Sequence, residues 1–405
     1  MCYTGFKYPK NVQRLGLSLE SFRKGRVFVK KCIVAPDSFK GTLSAAEAAK
    51  IMAECIKKHF PHCNVVTLPI ADGGEGTTDC FLAAIPQAEL VPVTVKGPFL
   101  DYVGAYYVRF GDTAVIELAQ AAGITLTEGR LDPMKASTYG VGQMILHAVN
   151  QGCRNISVAL GGSCTNDGGV GIAAALGAKF YDNEGIEFLP TGGTLKQIVR
   201  YHDSACREVL KDCNITVLCD IENPLCGENG AAYVFAPQKG ADEEMVRELD
   251  EGLRHLASLI TYQRGMDVST LPGAGAAGGC GGGIVAFLGG TLCSGIQMVL
   301  ELMRFDERIR NADLIFTGEG KLDSQSAGGK AVSGIAAYAV QQKIPVVAVA
   351  GIVEEGAELL YERGVAAMFS ITSKPEPFDE AKLHTRQNLR NTMDNILRLY
   401  SFGRK

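Results

Sequence analysis

Acidic residues beside glycines recur where apolar, β-rich runs of this chain end. The acids are Asp37, Asp72, Glu75, Asp167, Asp220, Glu319 and Asp323, and two lysines, Lys40 and Lys321, share their loops. Phosphoryl transfer requires cations that neutralise phosphate, carboxylates that hold Mg²⁺ and a carboxylate near the attacking hydroxyl. Taken singly, each residue is more simply explained as a turn or surface residue. Together they indicate an enzyme that binds phosphate.

The densest glycine loop, residues 272–283, could serve the same chemistry. Seven of the eleven residues 273–283 are glycine, and they include a literal G-x-G-x-x-G. No strand precedes the loop and no ribose-binding acid is evident, so the support for a dinucleotide fingerprint is weak. We expect instead a loop of backbone N–H groups that cradles phosphate at a helix N-terminus. The alternative is a tight chain crossing that only glycine can fit.

Several catalytic signatures are missing from the sequence. There is no Walker A loop, and neither the H-R-D nor the D-F-G of protein kinases occurs. Without a G-x-S-x-G elbow, and with six isolated histidines, a serine hydrolase is a poor hypothesis. The thirteen cysteines form no C-x-x-C pair for zinc. They favour buried, reduced thiols in a cytoplasmic protein.

The composition is that of a globular protein. The chain has 405 residues, of which 46% are hydrophobic, and domains of about 150 residues would give two or three of them. Residues 1–31 carry a net charge of +7, and the other 374 carry 32 basic and 43 acidic groups, a net charge of −11. Nucleic-acid binding is therefore a poor hypothesis. No apolar stretch reaches the roughly 18 residues that would span a membrane.

The elements that position these residues alternate between strand and helix. Strands are predicted near residues 32–35, 64–70, 155–160, 214–219, 312–316 and 345–350. A capping box that begins at Ser44 predicts a helix that ends near His59, and apolar stripes predict helices over 242–262 and 379–402. Such alternation predicts parallel βαβ sheets, in which ligands bind beyond the carboxyl ends of the strands.

The order of the strands also predicts how the domains divide. The first two strands are too few for a stable sheet. We expect them to share a sheet with the strands after residue 312, which leaves the middle of the chain as an inserted domain.

Seven stretches of the sequence, taken in order, resemble the type I glycerate kinase family of bacteria. They are residues 35–41 (APDSFKG), 69–76 (PIADGGEG), 161–169 (GGSCTNDGG), 220–225 (DIENPL), 235–241 (FAPQKGA), 272–283 (PGAGAAGGCGGG) and 317–323 (TGEGKLD). The resemblance covers about residues 31–400. Residues 1–30 have no counterpart, so we expect them to be a dispensable N-terminal extension, disordered or inert.

The resemblance implies ATP-dependent phosphorylation of D-glycerate with Mg²⁺, with 2-phosphoglycerate as the favoured product. It implies an α/β fold of two domains with the active site in the cleft between them. Residues 31–73 and 290–405 would form a discontinuous flavodoxin-like (Rossmann-like) parallel-sheet domain, and residues 74–289 an inserted α/β domain. We expect a cytoplasmic enzyme whose partner is its small-molecule substrate, with neither nucleic acid nor membrane, and a homodimer stays open.

The same resemblance suggests the site residues. Asp72 and Asp167 are the candidates for the carboxylate at the attacking hydroxyl, and Lys40 for the cation that binds the carboxylate of glycerate. Asp37, Ser38 and Asn166 complete the predicted substrate site, and Asp220 and Glu319 are the predicted Mg²⁺ ligands. The predicted nucleotide site comprises Gly275, Gly278, Gly279, Gly281, Gly282, Gly283, Thr317, Gly318 and Lys321.

Two other classes of function remain open. A kinase of another small hydroxy acid or polyol would keep the nucleotide loops and change the acceptor pocket. A non-catalytic small-molecule-binding relative would keep the fold and lose the carboxylates. Here the candidate acids and Lys40 are all present, which argues against the second alternative.

Overall fold

The computed structural model of the protein describes residues 29–39, 41–71, 73–74, 76–374 and 377–402. The predictions for Lys40, Asp72 and Glu75, and for residues 1–28 of the extension, lie outside the described residues.

Strands and helices alternate along most of the described chain. The strands are β1 (Lys31–Pro36), β2 (Asn64–Thr67), β3 (Glu89–Lys96), β4 (Tyr102–Phe110), β5 (Thr113–Glu117), β6 (Asn155–Ala159), β7 (Lys179–Tyr181), β8 (Glu187–Phe188), β9 (Arg200–His202), β10 (Asn214–Leu218), β11 (Thr291–Cys293), β12 (Leu314–Gly318), β13 (Lys321–Leu322), β14 (Val346–Ala350), β15 (Ile352–Val353) and β16 (Val365–Ser370). The α-helices are α1 (Ala45–His59), α2 (Thr77–Ala84), α3 (Ala119–Ala122), α4 (Tyr139–Asn150), α5 (Val170–Ala175), α6 (Ser204–Leu210), α7 (Ala231–Phe235), α8 (Glu243–Arg264), α9 (Ala276–Leu288), α10 (Gly295–Leu302), α11 (Phe305–Arg308), α12 (Ala331–Gln341), α13 (Leu359–Glu362) and α14 (Phe378–Phe402). Short 3₁₀ helices span Ile124–Thr127, Gly192–Gln197, Pro237–Lys239 and Ser324–Gly328.

The first sheet joins strands from both ends of the chain. Its order is β16-β14-β12-β1-β2, and every neighbouring pair is parallel. Cys32 lies beside Leu314 and Pro36 beside Gly318 across the β1–β12 pair. Strands buried on both faces read as continuous apolar runs, which explains why β1 and β12 could be found from hydrophobicity alone.

The second sheet is built from the middle of the chain. Its order is β11-β10-β6-β5-β4-β3. The strands from β11 to β5 are parallel, whereas β4 and β3 add antiparallel edges. The prediction of an α/β fold with parallel sheets is confirmed.

The two sheets draw on different stretches of the chain. The predicted domain boundaries stay a prediction, and two elements lie across them. β11 pairs with β10 in the second sheet although it follows residue 290. Phe81 of α2 belongs to the core of the first sheet, and its ring stacks on Phe110 of β4 with 5.8 Å between centroids. Helix α2 is therefore wedged between the sheets, and hydrophobicity alone does not assign it to either.

Local signals in the sequence place the helices well. The Glu47 N–H donates to Ser44 Oγ at 3.2 Å and the Ser44 N–H to Glu47 Oε2 at 3.1 Å, so the capping box that opens α1 is confirmed. The long helices predicted over 242–262 and 379–402 correspond to α8 and α14. Among the described residues, no helix has both the length and the apolar character to cross a bilayer.

Candidate active site

The carboxyl ends of strands from both sheets meet at one cleft. The turn at Gly73–Gly74, which follows β2, lies against the end of β10. A Cβ at Gly73 would lie 3.0 Å from Leu218 Cβ, so the turn approaches the strand more closely than most side chains would permit. In parallel α/β sheets ligands bind at this edge.

Two adjoining cavities occupy the cleft. The smaller, of about 270 Å³, is lined by Gly73, Gly74, Leu160, Gly161, Gly162, Ser163, Leu218, Cys219, Asp220, Ile221, Phe235, Gln238, Lys239, Ala276 and Ala277. The larger, of about 530 Å³, lies on the other side of residues 219–221 and extends to the start of α12. Residues Cys219, Asp220 and Ile221 line both cavities, so Asp220 stands where the two meet.

Lys239 is the buried cation of the smaller cavity. It ends the 3₁₀ helix Pro237–Lys239 and is only 2% exposed. Its Nζ donates to the Thr165 carbonyl at 2.7 Å and to Ser163 Oγ at 3.2 Å. Burial lowers the pKa of Lys239 to about 8. A lysine in stretch 235–241 has no sequence signal that separates it from a solvated surface lysine, so its role could not be predicted.

Asp167, a predicted catalytic residue, is fully buried and well satisfied. The Thr138 N–H and hydroxyl both donate to Asp167 Oδ2 at 2.8 Å, and the Gly169 N–H donates to Oδ1 at 3.1 Å. Thr138 and Gly169 are the N-cap residues that immediately precede α4 and α5, and a carboxylate is favourable at helix N-termini. Burial raises the pKa of Asp167, although these hydrogen bonds oppose the rise. This environment favours a structural role; Asp167 lines neither cavity, and its catalytic role stays a prediction.

Asn166, a predicted substrate-binding residue, is also completely buried. Neither its amide nitrogen nor its amide oxygen has a hydrogen-bond partner within the described part of the chain. An unsatisfied buried amide is costly. Asn166 directly follows Thr165 in the sequence, and the Thr165 carbonyl accepts a hydrogen bond from Lys239, which lines the smaller cavity.

The two predicted Mg²⁺ ligands differ in position. Asp220 follows β10, and its Oδ1 accepts hydrogen bonds from Ser294 Oγ at 2.9 Å and from the Gly295 N–H at 2.8 Å. Glu319 follows β12, is 8% exposed, and lines neither cavity. In the described ranges, no group of three His, Cys, Asp or Glu residues could hold a metal ion by itself.

The glycine-rich segment 273–283 forms a chain crossing. A Cβ at Gly278 would overlap the Thr165 carbonyl, and one at Gly283 would overlap the Gly168 carbonyl. The predicted cradle glycines 278, 279, 281, 282 and 283 are all buried inside α9. Neighbouring backbone fills the space on the Cβ side of Gly278 and Gly283, which explains why only glycine fits at these two positions; the phosphate cradle stays a prediction.

The other predicted site residues within the described part of the chain line neither cavity. Thr317 Oγ1 donates to the Ala35 carbonyl at 2.9 Å, and a Cβ at Gly318 would overlap the Val349 carbonyl. Lys321 pairs with Asp323 at 2.9 Å and with Glu354 at 3.3 Å.

Asp37 and Ser38 form a tight turn after β1. The Asp37 N–H donates to the Gly318 carbonyl at 2.8 Å, and Asp37 Oδ1 accepts from the Ser38 N–H at 2.6 Å. The turn therefore ties the end of β1 to the end of β12, and neither residue lines a cavity.

Glu117 is a further buried carboxylate, and sequence reasoning did not identify it. It ends β5 and is 3% exposed. The Thr78 N–H and hydroxyl donate to Glu117 Oε1 at 2.7 and 2.8 Å. Burial raises the pKa of Glu117. The contact ties the second sheet to the start of α2, the helix that follows the turn at Gly73–Gly74.

The larger cavity contains a glycine pair that was not among the predicted nucleotide residues. Gly328 and Gly329 line it just ahead of Lys330, the N-cap of α12, together with Ser333 and Arg363. The Gly329 N–H donates to Ser333 Oγ at 3.1 Å. The sequence signal, two glycines before a helix, was present, but it lacks the spacing of a Walker A loop.

These features define an α/β enzyme with a two-part ligand site at the ends of its parallel strands. The profile of the glycerate kinase family matches residues 32–401. The chain therefore belongs to the glycerate kinase family, and the protein is a kinase.

Individual members of this family are similar to the chain over nearly their whole length. The chain is 42% identical to a glycerate kinase of Bacillus cereus over 376 residues, which are 92% of this chain and 98% of the relative. It is 41% identical to the glycerate 2-kinase of Escherichia coli K12 with the same coverage. A crystal structure from Salmonella typhimurium LT2, assigned as a glycerate kinase 2, superposes with a TM-score of 0.81 at 37% identity. That match covers 93% of this chain and 99% of the other.

Proposed function

We propose that the protein transfers the γ-phosphoryl group of ATP to D-glycerate, with 2-phosphoglycerate as the favoured product. The observation that carries this proposal is the pair of adjoining cavities, of about 270 and 530 Å³, that meet at Asp220. A phosphoryl transfer needs a small acceptor and a large donor side by side, with a carboxylate near the transferred group.

The smaller cavity suits the acceptor. Its walls include the glycines at 73, 74, 161 and 162, which leave room near the backbone, and the hydroxyl of Ser163. Glycerate carries a carboxylate and two hydroxyl groups on three carbons, so it needs hydrogen-bond donors and acceptors. Ser163, Asp220, Gln238 and Lys239 provide them in this cavity. Asp72 directly precedes cavity-lining Gly73 in the sequence, which supports the prediction that Asp72 acts at the attacking hydroxyl.

The larger cavity suits the nucleotide. Leu292, Ile296 and Ala337 give it an apolar wall, and Arg363 with the N-terminal end of α12 gives it a positive one. Apolar walls favour a nucleobase, and a helix N-terminus favours phosphate. We propose that the nucleotide binds in this cavity, which Pro272 and Gly273 line, rather than against the buried glycines at 278–283.

Asp220 suits Mg²⁺ better than Glu319 does. Mg²⁺ is usually held by one or two protein carboxylates and completes its shell with phosphate oxygens and water, so a cluster of three protein ligands is not required. Asp220 lines both cavities, whereas Glu319 lines neither. When bound, Mg²⁺ neutralises charge on the phosphate oxygens; the hydrogen bonds from Ser294 and Gly295 orient the carboxylate that would hold it.

A cytoplasmic location is the remaining part of the proposal. All twelve cysteines within the described residues are free thiols, and unpaired thiols are typical of reducing compartments. A homodimer stays a prediction.

The experiment is an ADP-release assay with a panel of acceptors: D-glycerate, L-glycerate, tartronate and glycerol. We expect turnover with D-glycerate that depends on Mg²⁺, and ³¹P NMR of the product identifies the phosphorylated hydroxyl. An Asp220→Asn variant should raise the Mg²⁺ concentration for half-maximal rate by at least about tenfold, since even outer-shell changes cost that much. A folded wild-type protein that consumes none of the panel would overturn the proposal.

A further inference from the structure

The ammonium group of Lys239 has unused binding capacity. A lysine carries three N–H donors, and Nζ of Lys239 uses two of them, on Thr165 and Ser163. Both acceptors are neutral. Among the described residues, no carboxylate oxygen lies within the 4.0 Å that would make an ion pair with this lysine.

A buried charge without a counter-ion is unfavourable unless something compensates it. An isolated ammonium group in a protein interior either loses its proton or acquires a partner. Lys239 lines the smaller cavity together with Ser163. An anion in that cavity would supply the missing negative charge and accept the third N–H.

The sizes of the two cavities indicate which anion would bind beside Lys239. A nucleoside triphosphate needs the larger space, which lies on the far side of Asp220 from Lys239. A small carboxylic acid fits the smaller one. Its carboxylate at Lys239 would leave its hydroxyl groups free to extend toward Asp220 and the nucleotide.

We propose that Lys239, assisted by the hydroxyl of Ser163, is the receptor for the carboxylate of the acceptor and the residue that makes the enzyme select a hydroxy acid over a polyol. This inference rests on the proposed function. It gives to Lys239 the role for which the sequence favoured Lys40.

The groups around Lys239 leave it charged near neutral pH. Burial lowers its pKa to about 8, and the nearby Asp167 carboxylate acts in the opposite direction. Burial raises the pKa of the Cys164 thiol to about 11 and also raises the pKa of the Cys280 thiol well above its ordinary value. Both therefore remain neutral thiols when Lys239 titrates, and a bound carboxylate would stabilise the ammonium form.

The test compares D-glycerate with glyceramide, its neutral amide of nearly equal shape, in wild type and Lys239→Met. We expect the variant to raise KM for D-glycerate at least about 30-fold, because one partner of a buried charge pair is removed. KM for ATP should stay within about threefold, since the nucleotide lies elsewhere. The preference for D-glycerate over glyceramide should collapse to near unity, an effect that a merely structural role would not produce.

Matched variants keep the test decisive. Lys196, whose Nζ pairs with Glu251 at 2.9 Å on the surface, provides a Lys196→Met control that should leave both constants unchanged. If Lys239→Met does not fold, Lys239→Gln retains a donor for the Thr165 carbonyl and removes the charge. Lys239→Arg should restore part of the preference for D-glycerate.

Three outcomes would overturn the inference. One is a higher KM for ATP with an unchanged KM for D-glycerate, which would assign Lys239 to phosphate. Another is a preference that survives Lys239→Met but is lost in Lys40→Met. The third is unchanged kinetics in every Lys239 variant. If wild type consumes no acceptor at all, the proposed function fails instead, and calorimetric binding of D-glycerate alone then decides the role of Lys239.

Discussion

Asp167 lies in the loop between β6 and α5, and Lys239 donates hydrogen bonds to Ser163 and Thr165 of the same loop. Both charged groups are buried, but they differ in how much of their hydrogen-bonding capacity is used. Asp167 accepts hydrogen bonds on both carboxylate oxygens and lines no cavity. Lys239 has an unused N–H, no ion-pair partner among the described residues, and a cavity beside it. Burial is common to both, so burial alone does not identify a functional charge. A buried charge that keeps an unused hydrogen-bond donor and lines a cavity is the better indicator of a functional charge.

Gly278 packs against Thr165 and Asn166 of the same loop. Its substitution should have the largest effect on stability. A Cβ at Gly278 would overlap the Thr165 carbonyl, and the φ of +68° adds strain. We expect Gly278→Ala to lower the free energy of unfolding by about 2–4 kcal/mol, the sum of overpacking and a left-handed alanine. Urea unfolding measures it, and Gly104→Ala, whose Cβ would meet no atom within 4 Å, is the matched control. A stable Gly278→Ala variant with weakened ATP binding would restore the phosphate-cradle hypothesis.

Asp167→Asn separates the structural role from the catalytic one. The amide nitrogen would face the Thr138 or Gly169 N–H, donor against donor. We expect a loss of about 1–3 kcal/mol in the free energy of unfolding, with kcat of the folded variant within about tenfold of wild type. An unchanged melting temperature with kcat reduced by about 10²-fold or more would contradict this and make Asp167 a catalytic residue.

The titration of Lys239 gives a pH signature. Because burial lowers its pKa to about 8, its positive charge is present below that pH and is lost above it. KM for D-glycerate should therefore rise above about pH 8, by up to about tenfold per unit. Lys239→Arg, which stays charged, should show no such rise. A parallel rise in both proteins would show that another group is responsible.

The same shift affects the stability of the unliganded protein, with a defined sign. The folded pKa of Lys239 lies below the unfolded value, so the unfavourable burial of its charge is fully present below about pH 8. That penalty disappears as the pH rises toward the unfolded pKa of about 10.4. Relative to Lys239→Met, wild type should gain stability over this interval.

Glu117→Gln should have the smallest effect. The glutamine oxygen can still accept from both Thr78 donors, so we expect a change within about 1 kcal/mol. Burial raises the pKa of Glu117, so the folded state retains the proton longer, and wild-type stability falls as the pH rises through that raised pKa. Urea unfolding at pH 4.5 and pH 7 should show that the variant becomes more stable relative to wild type as the pH rises. The opposite trend in the free energy of unfolding would contradict the raised pKa of Glu117.

Much of the fold follows from local sequence signals. The apolar runs of β1 and β12 and the capping box of α1 depend on neighbouring residues only, so a single sequence suffices to place them. Even the sharing of one sheet by both ends of the chain followed from strand counting. The position of α2 did not, because its apolar face contacts both sheets at once.

The site was harder to predict because its residues depend on contacts with residues that are far away in the sequence. Gly278 and Gly283 are explained by the carbonyls of Thr165 and Gly168, more than a hundred residues earlier. Asp167 and Lys239 are both charged residues in loops, and only their partners in space distinguish them. Asp220, by contrast, follows a strand directly, and the rule for strand ends placed it in the cleft.

The most direct test of the account is calorimetric titration of D-glycerate into Lys239→Met and Asp167→Asn, side by side with wild type. We expect Asp167→Asn, while folded, to bind D-glycerate within about threefold of wild type. We expect Lys239→Met to bind it at least about 30-fold more weakly. Weak binding by Asp167→Asn together with wild-type binding by Lys239→Met would contradict the account.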